Sequence, residues 1–426
     1  VRLQLWIGAI VASGLVAACN ETPEEPAFDP YTFATPTPQV YLADSFGLDS
    51  LAYADRLTGA LIGSAVGDAM GAGTEMWPRS EIELRHGYIT GITASLRPRS
   101  PEGPWLHNGA PGSTTDDTRW KQLILDYIDE AGEEASAERF AEFISNYYYG
   151  QLDLLAEESQ ERDVDRLDAR IEQLDWIKEW ARVAIAFRQS PKAYQLAHSR
   201  FYGGEMSCAG LLYTPVFGLI APSPDSAYRL AYDHAIFDHG YAKDIAGLAA
   251  AMTHTALRTA DLDSVLSVAY FVDPHGFSDG RLVGRIAAAI AQDTRRAVRH
   301  ARTAPVLDTL VSPLGEPLRI PARYPHAREE WVRQQRVYTY LDRHERAIAF
   351  HAAEIWQIVI AGLAWGNGDF EETLQFIVNY GRDNDTAAAV AGTILGAQLG
   401  AGKLPASLTE PVIVETQRGA GIKLVQ

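Results

Sequence analysis

Cysteine is nearly missing from this chain of 426 residues: only Cys19 and Cys208 are present, and neither belongs to a CxxC pair. Two cysteines cannot build a disulfide framework, and zinc-ribbon and thioredoxin-type readings are excluded as well. Basic residues are short too, with 37 Lys and Arg against 55 Asp and Glu, a formal net charge of −18. That deficit disfavours a nucleic-acid partner, because gripping a phosphate backbone needs a net basic face. An anionic ligand stays admissible where bound cations supply positive charge locally. Long apolar runs are confined to the N-terminus, so nothing later reads as a transmembrane helix. Period-two alternation is scarce, which leaves little room for sheet. What remains, 47% hydrophobic and 22% charged, is the composition of a globular chain long enough to bury a full core.

Val1 to Ala18 (VRLQLWIGAIVASGLVAA) carries one positive charge at Arg2, an apolar run, and small residues directly before Cys19, the layout of a processing signal. As a helix its apolar part would be roughly 24 Å long, short of the ~30 Å hydrocarbon core. Val16-Ala17-Ala18-Cys19 resembles a bacterial lipobox, with an ordinary signal peptide as the alternative. The lipobox implies lipidation at Cys19, a membrane partner only through that anchor, and a place in the bacterial cell envelope. Residues 19–41 contain Pro23, Pro26, Pro30, Pro36 and Pro38, which block helix and disfavour sheet, so they read as a semi-rigid tether.

From residue 42 onward amphipathic helical stretches dominate: 120–130, 138–148, 165–189, 244–257, 262–271, 283–299, 328–363 and 370–379 all repeat apolar residues at three and four. An all-α fold follows, with any sheet being a small hairpin. Two further segments carry glycine every fourth residue: Gly59, Gly63, Gly67 and Gly71, then Gly392, Gly396 and Gly400. Such a ladder keeps the glycines on one helix face, where another backbone can approach closely. Each interior glycine costs about 1 kcal/mol relative to alanine, so both segments predict central helices whose tight packing offsets that cost. Stretches near 151–190 and 302–340 look like insertions into a single domain over 42–426.

Chemistry concentrates in two short motifs. Gly112-Ser113-Thr114-Thr115-Asp116-Asp117-Thr118 precedes one predicted helix, and Gly381-Arg382-Asp383-Asn384-Asp385-Thr386 precedes the second glycine-ladder helix. Together they offer four carboxylates and several hydroxyls, hard oxygen donors that suit Mg²⁺ or Mn²⁺ over Zn²⁺. Helix capping accounts for one or two such residues. It leaves unexplained the adjacent Asp116 and Asp117, and Asp383 and Asp385 bracketing one residue, which repel unless a cation lies between them. Upstream, Asp68 and Glu75 in GDAMGAGTE read by themselves as a polar helix face and a loop residue.

The blocks LTGALIGSAVGDAMGAGTE, STTDDT and GRDNDTAAAVAGTILGAQLG together resemble, in order, those of the ADP-ribosylglycohydrolase family, which includes the dinitrogenase-reductase-activating glycohydrolases. The resemblance spans about Leu57 to Gly402. It implies a single orthogonal helical domain around a central di-metal site with two Mg²⁺ or Mn²⁺. The metal ligands it implies are Thr115, Asp116, Asp117, Asp383, Asp385 and Thr386. Glu75 matches the acidic residue closing the first motif, as general base or positioner, and Glu75 and Asp116 become the candidate catalytic residues. Hydrolysis at the anomeric carbon of a small-molecule or protein-linked ADP-ribosyl substrate is the implied activity. A hydrolase of another ribosyl or glycosyl compound, and a surface protein that binds such ligands without cleaving them, stand as alternatives.

Arg382 and Asn384 depart from the family's usual small or hydroxyl residues, so the rim of the site is expected to differ. Trp77 either stacks on a ligand ring or packs on the core. Asp233-His234 and Asp238-His239 form DHxxxDH, but a spacing of five separates the histidines, so solvated loop or cap residues are expected. His254 reads as a satisfied helix histidine and Cys208 as a small buried residue.

Overall fold

The structure, a computed structural model, describes residues 48–97, 107–161, 163–306 and 319–418. All of them belong to the second of two compact units, residues 36–426. The expected signal segment, Cys19 and the tether lie outside the described residues. So does part of the expected insertion near 302–340.

Among the described residues the fold is all-α. In chain order the helices are α1 (Ser50–Gly71), α2 (Arg79–His86), α3 (Asp116–Ala131), α4 (Ala137–Glu161), α5 (Val164–Gln189), α6 (Pro191–Phe201), α7 (Phe217–Ile220), α8 (Pro224–His234), α9 (Ala242–Ala256), α10 (Leu262–Phe271), α11 (Ile286–Thr303), α12 (Arg328–Asp342), α13 (Ala352–Gly366), α14 (Phe370–Tyr380), α15 (Asn384–Leu399) and α16 (Ala406–Arg418). Side chains of Asp49, Thr115, Asp163, Ser190, Ser223, Asp261 and Asp369 accept first-turn N–H groups and start their helices. The expected continuous helical stretch over 328–363 is two helices, α12 and α13. His351 caps the second by accepting the Ala353 N–H at 3.1 Å. No described helix is long and apolar enough to cross a membrane.

Among the described residues, sheet is confined to two antiparallel pairs, β2 (Ser95–Arg97) with β3 (His107–Gly109), and β1 (Trp77–Pro78) with β4 (Gly381–Arg382). The first agrees with a small hairpin. The second does not: it joins opposite ends of the domain, with Trp77 opposite Arg382 and a Met76 N–H bond to Arg382 O at 2.7 Å.

The two glycine ladders face each other. A Cβ at Gly63 would sit 2.3 Å from Gly392 O, one at Gly67 2.1 Å from Ala388 O, and one at Gly71 2.4 Å from Asp385 Cα. Rising numbers on α1 meet falling numbers on α15, so the helices run antiparallel with backbones in contact. Gly400 lies just past α15 and ends it at φ +86°, bonding its N–H to Gly396 O. This packing sets the C-terminal end of α1 beside the first turn of α15.

The stretch near 151–190 forms the hairpin of α4 and α5. Its charged turn is mostly exposed, while Trp176 and Trp180 are buried against Trp120 of α3, with ring centroids 5.5 Å and 4.5 Å away. That aromatic cluster, joined by Tyr213 and Phe237, holds α3 one turn after its acidic start.

Candidate metal centre

The acidic motifs are the starts of helices, not loops ahead of them. Asp116 and Asp117 lie in the first turn of α3 behind the Thr115 cap, and Asp385 lies in the first turn of α15 behind Asp383. Both helices begin at one buried point, where unpaired N–H groups and helix dipoles favour negative charge.

Capping is therefore real, yet it explains only Thr115, whose hydroxyl accepts the Asp117 N–H at 3.4 Å. Asp383 caps nothing with its side chain. Instead Glu75, Asp383 and Asp385 each offer a carboxylate oxygen within 4.8 Å of the others, and all three are buried. The β1–β4 pair sets this up: Met76 and Arg382, the neighbours of Glu75 and Asp383, both take left-handed backbone, φ +64° and +65°. Such conformations are costly outside glycine and persist where their surroundings impose them.

Around this trio the remaining candidates divide. Asp117 accepts the Thr386 hydroxyl on Oδ2 at 2.9 Å and Lys121 Nζ on Oδ1 at 3.3 Å, so both its oxygens are engaged. Thr115 Oγ1 lies 3.0 Å from Asp68 Oδ1 and 3.2 Å from Asp385 Oδ2, bridging α1 and α15. Asp116 is the half-exposed member of the set.

Asp68 is no polar surface residue. Fully buried, it accepts the backbone N–H groups of Thr115 and Thr118 at 2.9 and 3.0 Å and the Thr118 hydroxyl at 2.5 Å. It thereby ties the start of α3 to α1. Lys121 and Cys208 were not singled out as site residues by sequence either. The Cys208 thiol is buried and donates to Asp383 Oδ2 at 3.5 Å. Burial, then Cys208, Asp116, Asp238 and Asp383, push the Tyr202 phenol up, so that ring borders the same centre.

Charge here is crowded. Burial, then Asp117 and Asp385, push the Asp68 carboxyl up to about 7. Burial lifts Asp117 to about 6 against the pull of Lys121. Asp383 is driven well above the carboxylate range by burial, Asp385 and Asp117. Asp385 Oδ1 is buried without a hydrogen-bond partner. An all-oxygen donor set with one orphaned, buried carboxylate oxygen and mutually repelling neighbours fits a hard divalent cation.

The departures from the expected motif are structural. Arg382 grips Glu354 through Nε at 2.5 Å and Nη2 at 3.1 Å and bonds Arg346 O at 2.9 Å. Asn384 donates to Thr74 Oγ1 and Val378 O. The Trp77 ring carries the Arg85 guanidinium 5.2 Å over its centroid. In DHxxxDH, Asp233 is exposed, but His234 and Asp238 are buried, contrary to the solvated expectation. His234 bonds the Tyr127 hydroxyl and Leu230 O, and Asp238 accepts the Gly210 N–H, so both are structural. Buried His254 meets Arg258 Nη1 at 3.1 Å, as a satisfied helix histidine.

Residues 49–420 match the model of a protein family described as ADP-ribosylglycohydrolase. An 80-residue stretch is 36% identical to the uncharacterized protein YegU of Escherichia coli (strain K12), covering 18% of this chain and 22% of that protein. A solved structure described as an ADP-ribosylglycohydrolase-related protein complex is similar at 19% identity and a TM-score of 0.49, over 86% of this chain and 95% of that one.

Proposed function

Since this chain belongs to the ADP-ribosylglycohydrolase family, we propose that it is a divalent-cation-dependent hydrolase of an ADP-ribosyl linkage. The family supports a glycosyl hydrolase of the ADP-ribose type; dependence on Mg²⁺ or Mn²⁺ and the substrate are the proposed parts. The observation that carries the metal is the buried Glu75, Asp383 and Asp385 trio with the unpartnered Asp385 Oδ1.

These three residues would hold a cation, and the second position implied by the motifs would draw on Thr115, Asp116, Asp117 and Thr386. Cations bound there supply Lewis acidity toward a water and the hydroxyls of the terminal ribose. With cations held there the local sign would be inverted, so that an acidic chain could accept a pyrophosphate. Asp116, half-exposed at the start of α3, would take the proton as water adds to the anomeric carbon and return it to the acceptor as that bond breaks. Glu75 sits among the holding carboxylates, a position that favours positioning over proton transfer. Asp68 keeps the first turn of α3 in place through its bonds to Thr115 and Thr118.

The test is release of free ADP-ribose from ADP-ribosyl-arginine, ADP-ribosyl-serine and O-acetyl-ADP-ribose, with Mg²⁺, Mn²⁺ or chelator. Turnover of at least one conjugate, abolished by chelator and by Asp385→Asn, is expected. Chelator-insensitive turnover, or activity only on a simple nucleoside, refutes the reading.

A further inference from the structure

We propose that the Lys121 ammonium stands in for one of the two expected cations, so that this centre binds a single divalent ion. The inference rests on the metal-dependent reading above and sharpens its stoichiometry.

Lys121 lies one turn after Asp117 on α3, and the two side chains are 2% and 1% exposed. A lysine is almost never this deeply buried unless a charged partner compensates it. Its Nζ reaches Asp117 Oδ1 at 3.3 Å and Asp117 O at 3.2 Å. Thr386 donates to the other oxygen, Oδ2, at 2.9 Å. Two of the six residues expected to ligate metal, Asp117 and Thr386, are thus bonded to each other, and a fixed positive charge lies on Asp117.

A divalent ion at Asp117 would have to displace that ammonium or lie beside it, like charge against like charge in a buried site. Glu75, Asp383 and Asp385 stand within 4.8 Å of one another, and Asp385 Oδ1 is without a partner. The centre therefore offers a cation the orphaned Asp385 oxygen on one side and is closed by Lys121 on the other. The ammonium neutralises Asp117 with no metal and keeps α3 joined to α15 through Asp117 and Thr386.

Titration of the full chain with Mn²⁺ tests this. Calorimetry should give one tight ion per chain, and the electron paramagnetic resonance spectrum at saturation should be that of an isolated ion. A stoichiometry of two, or the spectrum of an exchange-coupled pair, overturns the proposal without involving any variant. Binding of no ion refutes the metal-dependent reading itself, a different outcome. Lys121→Met removes the charge while keeping most of the volume, and should raise the stoichiometry to two with a coupled spectrum. Lys121→Arg, which keeps the charge, should stay at one. A folded Lys121→Met that still binds a single ion also overturns the proposal.

Discussion

The contact between α1 and α15 sets the geometry of the centre, and Gly67→Ala is the substitution that probes it. The added Cβ would lie 2.1 Å from Ala388 O and 2.3 Å from Ala388 C, both backbone atoms that no side-chain rotation can move. Ordinary contact begins at 3.4 Å, so the two helices must part by about 1 Å in a region that is close-packed. Overpacking of this kind costs about 3 kcal/mol, at the upper end of its usual range. Alanine's better helix propensity offsets about 1 kcal/mol of it. The net, about 2 kcal/mol, divided by an unfolding entropy of roughly 0.8 kcal/mol/K for a domain of this size, gives a melting temperature lowered by about 2.5 °C. Function should suffer more than stability. The next point of contact is Gly71 against Asp385, so parting the helices draws Asp385 away from Glu75, and metal sites tolerate only about 0.2 Å in ligand distance. Mn²⁺ affinity should fall at least about tenfold, a loss of about 1.4 kcal/mol. Gly91→Ala is the control: its Cβ would meet only Leu408 Cδ2 at 3.7 Å, and a change within about 0.5 kcal/mol is expected. Thermal melting and Mn²⁺ calorimetry on both variants decide the matter. A Gly67→Ala protein with the melting temperature and Mn²⁺ affinity of the wild type refutes the argument that this contact positions the site.

Arg382→Ala frees the left-handed turn beside Asp383 from Glu354, and outer partners of metal ligands are commonly worth 10- to 100-fold in affinity. Calorimetry should show a Mn²⁺ affinity about tenfold weaker or more, and an unchanged affinity would mean that the pair does not position Asp383. Asp68→Asn sets an amide nitrogen against the N–H groups of Thr115 and Thr118, which cannot reverse. The cost is about 1–3 kcal/mol, read as a lower melting temperature in chelator; a rise would mean that relief of the buried charge outweighs the lost bonds. Asp68 and Asp117 have carboxyls raised to about 7 and about 6, so the folded chain holds more protons than the unfolded one above about pH 4. Their contribution makes the metal-free protein less stable as pH rises through those values. His198, His234 and His254, lowered to about 4 mainly by burial, act with the opposite sign between about 4 and 6.5. Subtracting the melting temperature in chelator from that in Mn²⁺ cancels the histidines. The difference should grow from about pH 5.5 to about pH 7.5 as metal and proton cease to compete, and a flat or falling difference refutes the assignment.

Much of the fold was legible because its signals are local. The three-and-four spacing marked the helices, and the glycine ladders announced a close approach, since glycine every fourth residue costs a helix stability that tight backbone packing offsets; only Gly400 lies outside the helices, ending α15. What the ladders could not reveal was that each is the other's partner. The break between α12 and α13 was hidden because residues 343–351 contain neither glycine nor proline. The β1–β4 pair is two residues on each side, too short for any periodicity. Asp68 read as a surface residue because its donors come from residues 115 and 118. Lys121 was hidden for a related reason. Four residues after an aspartate on a helix, a lysine looks like an ordinary exposed ion pair, and only the folded structure, where its side chain is 2% exposed, shows that this one faces inward.

Two helix N-termini converge on this centre, and their dipoles favour ionised carboxylates there by about 0.3–1 kcal/mol each at exposed sites, up to ~2 kcal/mol when partly buried. If that effect governed, the acids would sit below their ordinary range. Instead Asp68, Asp117 and Asp383 are all pushed up, so burial and mutual repulsion outweigh helix ends and hydrogen bonds together. Lys121 relieves only the carboxylate it touches, and even Asp117 stays raised to about 6. Three carboxylates crowd together on the side of Glu75, Asp383 and Asp385, where the orphaned oxygen lies. Under the metal-dependent reading, a divalent cation on that side would complete the electrostatics that backbone, hydroxyls and one lysine leave unfinished.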